Sequence, residues 1–136
     1  MKILTICSVF PPYAKGGAEL SAYNYARWLC NEGHEVSVLT SAKTKSDELH
    51  GVQIDGMKIW RLYWPRPYTV HDHDNQPLLS KAIWHLQDHL DPRNARIVSK
   101  VAEEVQPEFV NLHLVAGIGH NALSVFKHKK TVSLSR

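Results

Sequence analysis

The chain has 136 residues, of which 43% are apolar and 21% charged, with a formal net charge of +3. This suffices for one domain with a sizeable core and matches the balance of an ordinary globular protein. Lys and Arg are scattered rather than blocked, so nothing in the charge calls for nucleic acid, and no apolar run has the length of a bilayer span.

Residues 3–10 form an apolar, β-prone run ended by Pro11-Pro12, which predicts a first strand. Beyond the turn, Ala18, Ala22, Tyr25, Ala26 and Leu29 recur at helical spacing, so the strand feeds a helix through Gly16-Gly17. The first N–H groups of such a helix have no intrahelical partners, and its positive dipole end suits an anion, phosphate above all. Glycines there let a ligand approach the backbone closely. The alternative is a tight strand-to-helix turn with no ligand. Gly33 closes the helix, and residues 35–40 read as a second strand. Strand, helix and strand make a right-handed βαβ unit with parallel strands. A dinucleotide-binding domain would need Gly-x-Gly-x-x-Gly and an acidic residue ending the second strand. The chain has only Gly16-Gly17, and its second strand runs into Leu39-Thr40-Ser41-Ala42-Lys43. A nucleotide-binding oxidoreductase is therefore the third choice. Cys7 in the first strand and Cys30 in the helix suit free thiols in a reducing compartment. Eight residues of mixed apolar character before Pro11 are too few for a signal peptide, so the expected location is cytoplasmic.

Residues 41–50 are polar and read as a loop. Residues 52–54 and 57–62 alternate around Asp55-Gly56, a strong hairpin signal. The following stretch interleaves aromatics, arginines and prolines. Arg61 and Arg66 are candidates to meet an anionic acceptor, and Trp64 or Tyr68 to stack on a sugar ring; the alternative is a proline-stiffened loop whose aromatics pack locally. His71-Asp72-His73-Asp74 looks like a metal tract, but short side chains in a polar loop close poorly on one ion. His85 and His89 stand one turn apart without the glutamate of a zinc-hydrolase motif. No metal is expected. Pro77 opens a helix with Leu79, Ile83, Leu86 and Leu90 on one face. Asp91-Pro92 caps another, with a buried stripe of Ala95, Val98, Val101, Ala102 and Val105. Pro107 ends it, residues 108–112 form a core strand followed by His113, a helix runs from about 120 to 128, and residues 131–135 begin a last strand.

An opening strand, Phe-Pro-Pro, Gly-Gly-Ala-Glu heading a helix, then Glu-Gly-His-Glu-Val-Ser-Val-Leu-Thr, resembles the amino-terminal domain of GT-B glycosyltransferases, in particular the retaining, nucleotide-sugar-dependent group. The resemblance is carried by residues 1–40 and again, with departures, around 107–119. It implies one Rossmann-like, three-layer α/β domain over residues 1–136, cut short after its last strand, with a mostly parallel sheet in order 3-2-1-4-5. It implies that Gly16 and Gly17 hold the donor diphosphate, with Glu19, Arg61, Trp64, Arg66 and His113 as acceptor-binding candidates and His113 the one catalytic candidate. The family's His-x-His at this strand reads Asn111-x-His113 here, Glu108 replaces an aspartate, and Ser135 stands where several members carry a histidine. No two glutamates have the seven-residue separation of the family's paired motif.

The leading reading is thus the acceptor-side domain of an enzyme moving a sugar from a nucleotide-diphosphate donor to a carbohydrate or lipid-linked acceptor. Such a domain is inactive alone, needs no bound cofactor or metal, and pairs with a separate carboxy-terminal domain or second chain, with peripheral membrane contact compatible with it. The alternative is a non-catalytic interaction module derived from such a domain.

Overall fold

The computed structural model describes residues 1–13, 16–64, 76–113, 118, 124–126 and the backbone of 130–133. Its six strands are β1 (Lys2–Ile6), β2 (Glu35–Ser41), β3 (Leu49–Ile54), β4 (Met57–Leu62), β5 (Phe109–Leu112) and β6 (Lys130–Ser133); its helices are α1 (Gly17–Asn31), α2 (Leu78–Leu90) and α3 (Pro92–Val105). The strands form one sheet in the order β3-β4-β2-β1-β5-β6. The expected order 3-2-1-4-5 is corrected accordingly. The five strands β4, β2, β1, β5 and β6 pair in parallel, but the Asp55-Gly56 hairpin adds a sixth, antiparallel strand outside β4. Asp55 and Gly56 have φ of 52° and 83°, the left-handed pair that a two-residue hairpin with native twist requires. β3 slips register between His50 and Val52, where Gly51 (φ +69°) lies under the Trp60 ring.

β1 is central, flanked by β2 and β5, and Ile3, Leu4, Thr5 and Ile6 are all buried. A strand covered on both faces reads as a continuous apolar run rather than an alternating one. Alternation still sorts its side chains. Leu4 and Ile6 join Leu39, Val98, Val101 and Val110 beneath α3. Ile3 and Cys7 join Ala22, Ala26, Val36, Val38 and Ile59 beneath α1. Both cysteines are free, Cys7 buried and Cys30 half-buried.

Gly33 follows α1 at φ 92°, as expected of a helix stop. At the α2–α3 corner, the Asp91 carboxylate accepts from the Arg93 backbone N–H at 2.9 Å and caps α3. The buried Asn94 amide donates to the Gln87 and Asp88 carbonyls at 3.0 and 3.3 Å, satisfying the end of α2. Pro77 precedes α2 as its cap rather than lying in its first turn. The α2 stripe is also turned the other way from a core stripe. Leu79, Ile83, Leu86 and Leu90 are 44–85% exposed along with Leu78, whereas Trp84 and Asp88 are buried. The tract at residues 71–74, the helix expected at about 120–128 and Ser135 fall wholly or largely outside the described residues.

These exposures separate two leucines. Leu4→Ala is expected to lower the unfolding free energy by about 2–5 kcal/mol, the range for a leucine deleted from a packed core. Leu86→Ser is expected to change it by no more than about 0.5 kcal/mol. Urea titration of both variants checks the assignment; a large loss at Leu86 would mean that α2 buries its apolar face.

Candidate functional site

The parallel strands end together along one rim of the sheet, and the segment joining β1 to α1 crosses that rim. Its residues 7–13 are held by backbone hydrogen bonds: Cys7 N–H to the Leu39 carbonyl at 3.0 Å, Ser41 N–H to the Ser8 carbonyl at 3.4 Å, and Tyr13 N–H to the Phe10 carbonyl at 3.1 Å. The Ser41 hydroxyl also donates to the Ser8 carbonyl, and the Pro11–Pro12 peptide is cis. Gly16 caps α1 in extended conformation (φ −139°, ψ 175°) with no side-chain cap, and Gly17 begins the helix.

Glu19 is the acidic residue of the first turn, and its carboxylate folds back over Gly16. A Cβ added at Gly16 would lie 2.9 Å from Glu19 Oε2, whereas one added at Gly17 would meet nothing within 4 Å. The negative carboxylate complements the positive helix end and occupies part of the space an anion would use. Neither glycine is demanded by positive φ, so their smallness leaves room without being required by the backbone.

Arg61 leaves β4 on the α1 side and is 6% exposed. Its Nη2 donates to the Pro11 carbonyl, and its guanidinium lies 5.5 Å from the Tyr13 ring centroid, a cation–π distance. Nε is buried without a partner. Burial pushes the guanidinium pKa down from its ordinary value, while Tyr13 and Asp47 oppose the shift. Arg61 therefore fastens the turn to the sheet, a role the reading of it as a surface acceptor group did not include.

Trp64 requires a correction. It is 3% exposed and belongs to the core beneath α3 with Leu62, Val98 and Phe126, so its ring is closed to a sugar. Arg66 and Tyr68 lie outside the described residues. His89, one of the pair weighed for metal, is bonded through Nδ1 to the His85 carbonyl at 2.9 Å.

His113 follows β5, its backbone N–H donating to the Ile6 carbonyl at 3.0 Å. Asn111, two residues back and so on the same face of the strand, approaches His113 Nε2 with Nδ2 at 3.2 Å. With the amide oriented so, its nitrogen donates to Nε2 and the matching imidazole tautomer carries its proton on Nδ1, while Asn111 Oδ1 is buried without a partner. The ring packs edge-on against Tyr25, 6.2 Å between centroids, and desolvation lowers its pKa. A neutral His113 so held offers a donor at Nδ1, and its basic nitrogen is already engaged. With β4 and β5 three strand spacings apart in the sheet, Arg61 and His113 are separated by about 14 Å. The rim thus gathers Gly16, Gly17 and Glu19 near its middle, with Arg61 toward one side and His113 toward the other.

Sequence reasoning missed Tyr23 and Asp55. The Tyr23 hydroxyl donates to Asp55 Oδ2 at 2.6 Å, joining α1 to the hairpin turn, and both line a cavity of about 230 Å³ with Arg61. Hairpin-turn chemistry accounts for Asp55 in the sequence, and nothing in the helical spacing of α1 singles out Tyr23.

No family model matches the chain. An uncharacterized 42.6 kDa protein in the cps region of Klebsiella pneumoniae is 30% identical over 121 residues, which are 87% of this chain. The chain spans 31% of that relative's length. Among solved structures, the C-terminal domain of a hydrogenase from Pyrococcus furiosus superposes with a TM-score of 0.50 at 15% identity, over 96% of this chain and 88% of the other. That likeness concerns the fold alone. Among the described residues, no helix is long and apolar enough to cross a membrane.

The depressed pKa of His113 gives a signed expectation. Where the folded pKa lies below the ordinary 6.5, the unfolded chain binds the extra proton first as pH falls. The neutral ring's contribution is therefore fully present above about pH 6.5 and is lost as pH falls through the window down to the folded pKa. The thermal midpoint of the wild type should drop more between pH 7 and pH 5 than that of His113→Gln, with the two differing by a constant above pH 7. Parallel pH profiles would show that His113 does not titrate differently on folding.

Proposed function

We propose that the chain is the acceptor-side, amino-terminal domain of a nucleotide-sugar glycosyltransferase that works in polysaccharide assembly. The carrying observation is the junction at the carboxyl end of the central strand, where Gly16 and Gly17 open α1 with unfilled space at Gly17. Ligands of open α/β sheets sit outside the carboxyl ends of the strands, and a helix opening there presents N–H groups and positive potential to a phosphate. The resemblance in residues 1–40 supplies the donor class. The relative encoded in a capsule (cps) region supports the polysaccharide context.

On this reading the diphosphate of the donor lies against the N–H groups of Gly16 and Gly17 and displaces the Glu19 carboxylate, which turns to the acceptor's hydroxyls. Charge growing on the leaving diphosphate is stabilised by donors already in place. His113 donates from Nδ1 to the acceptor and orients it. The paired glutamates of the resembling enzymes have no counterpart in this sequence, so the domain by itself binds rather than turns over, and the purified chain transfers no sugar.

A second reading has its own observation. The exposed Leu79, Ile83, Leu86 and Leu90 on α2 form the kind of apolar surface that marks an interaction site, as a non-catalytic module would carry.

The two readings part at Gly17. Because a side chain there meets nothing in the chain, Gly17→Ala should fold and gain about 0.4–1 kcal/mol from a less flexible unfolded state, and Gly17→Val should also fold. Yet each places carbon where a phosphate oxygen would sit. Loss of one charge-assisted hydrogen bond costs about 1.5–3 kcal/mol, so uridine diphosphate should bind Gly17→Val at least tenfold more weakly than wild type. Glu19→Gln, which removes the competing negative charge, should bind it more tightly. Calorimetric titration with circular dichroism as folding control decides the matter. Equal affinity in wild type and a folded Gly17→Val would remove the diphosphate from this turn.

A further inference from the structure

The cavity beside α1 is lined by a buried cation that makes no ion pair among the described residues. Its polar groups are Arg61 at the rim end and the Tyr23–Asp55 pair toward the hairpin turn; between them lie the apolar surfaces of Phe10, Pro11, Pro12, Met57 and Ile59. A guanidinium has five N–H donors in a rigid fork. Here one donor atom is used by the Pro11 carbonyl, Nε is buried and unpartnered, and no carboxylate among the described residues lies within ion-pair distance. Buried charges are ordinarily paired, because taking a cation out of water is costly unless an opposite charge compensates. A π face and one carbonyl are partial compensation. At the other end Asp55 has one carboxylate oxygen engaged by Tyr23 and retains acceptor capacity on an exposed edge of the cavity.

We infer that this cavity is a binding site for a small hydroxylated carboxylic acid, the size of one sugar ring, with its carboxylate on Arg61 and a hydroxyl on Asp55. The volume of about 230 Å³ is below the roughly 300–1,000 Å³ of drug-sized sites, which limits the occupant to about one ring. The proline and phenylalanine surfaces suit the apolar face of such a ring. A carboxylate matches the planar fork of arginine with two parallel bonds, and Asp55 in the same cavity opposes a doubly charged phosphate more than a singly charged acid. Binding of the acid does not depend on the glycosyltransferase reading. Its role as the acidic sugar unit of an acceptor does rest on that reading, with the diphosphate turn and the Arg61 end of the cavity at the same rim.

The test uses the whole chain and three probes: D-glucuronate, D-glucose and inorganic phosphate, each followed by amide chemical shifts. Glucuronate should bind at least tenfold more tightly than either of the others and should move the amides of Phe10, Tyr23, Asp55 and Met57. Arg61→Lys keeps the charge but loses the fork, and should weaken glucuronate at least tenfold. Should that variant fail to fold, Tyr23→Phe and Asp55→Asn, at a half-buried and an exposed position, are expected to weaken glucuronate about threefold to tenfold while the preference over glucose remains. Glucose binding as well as glucuronate, phosphate binding as well or better, or shifts confined to Gly16 and Gly17 would each overturn the inference. Glucuronate binding retained in a protein that ignores uridine diphosphate would keep this site and remove the donor role from the turn.

Discussion

The position of β1 between two parallel neighbours, with a helix against each face, is the constraint on which the molecule depends. Once β1 is buried on both sides, its chain can leave only across the rim at its carboxyl end, and a right-handed crossover returns it through α1 to β2. The same geometry sends β2, β4 and β5 to that rim. Three groups are therefore delivered to one side by topology: the opening of α1, the fastened turn with Arg61, and the Asn111–His113 pair; the Tyr23–Asp55 pair belongs to the hairpin turn at the opposite end of β4.

The rim is held by contacts that are polar but local. Ser8 accepts from Ser41 twice, Pro11 accepts from Arg61, and Ile6 accepts from His113. The first two tie the segment after β1 to β2 and β4, so the turn is determined by two neighbouring strands as well as by its prolines, and the third joins the end of β1 to the residue after β5. Such a frame holds the backbone of the turn in place beforehand, which would lower the ordering cost of any binding there.

Much of this frame is legible in the residues themselves. The β-prone, mostly apolar run around Ile3–Ile6, the glycine pair and the alternation about Asp55-Gly56 dictate strand, helix start and hairpin because their causes are local. The failures are tertiary. Helical spacing shows that α2 has an apolar face, but only packing shows that Trp84 and Asp88, not Leu79 and Leu86, turn inward. Trp64 sits among prolines and arginines, a surface-like context, yet β4 and α3 enclose it. Arg61 was visible as a cation near the site, but its loss of solvent depends on Pro11 and Tyr13, fifty and forty-eight residues away in sequence. The pairing of Tyr23 with Asp55 likewise joins residues thirty-two apart.

The irregularity in β3 bears on how the molecule meets its own kind. An edge strand with a straight row of free N–H and C=O groups is a template on which another chain can crystallise into a shared sheet. β3 spans Leu49–Ile54, and its slip between His50 and Val52 divides it into stretches of two and three residues on either side of Gly51. Neither is long enough to seat a stable incoming strand. The register slip at Gly51, which lies against the Trp60 ring, thus works against fibril-like growth along that border, although Val52 and Ile54 there are exposed and would otherwise invite it.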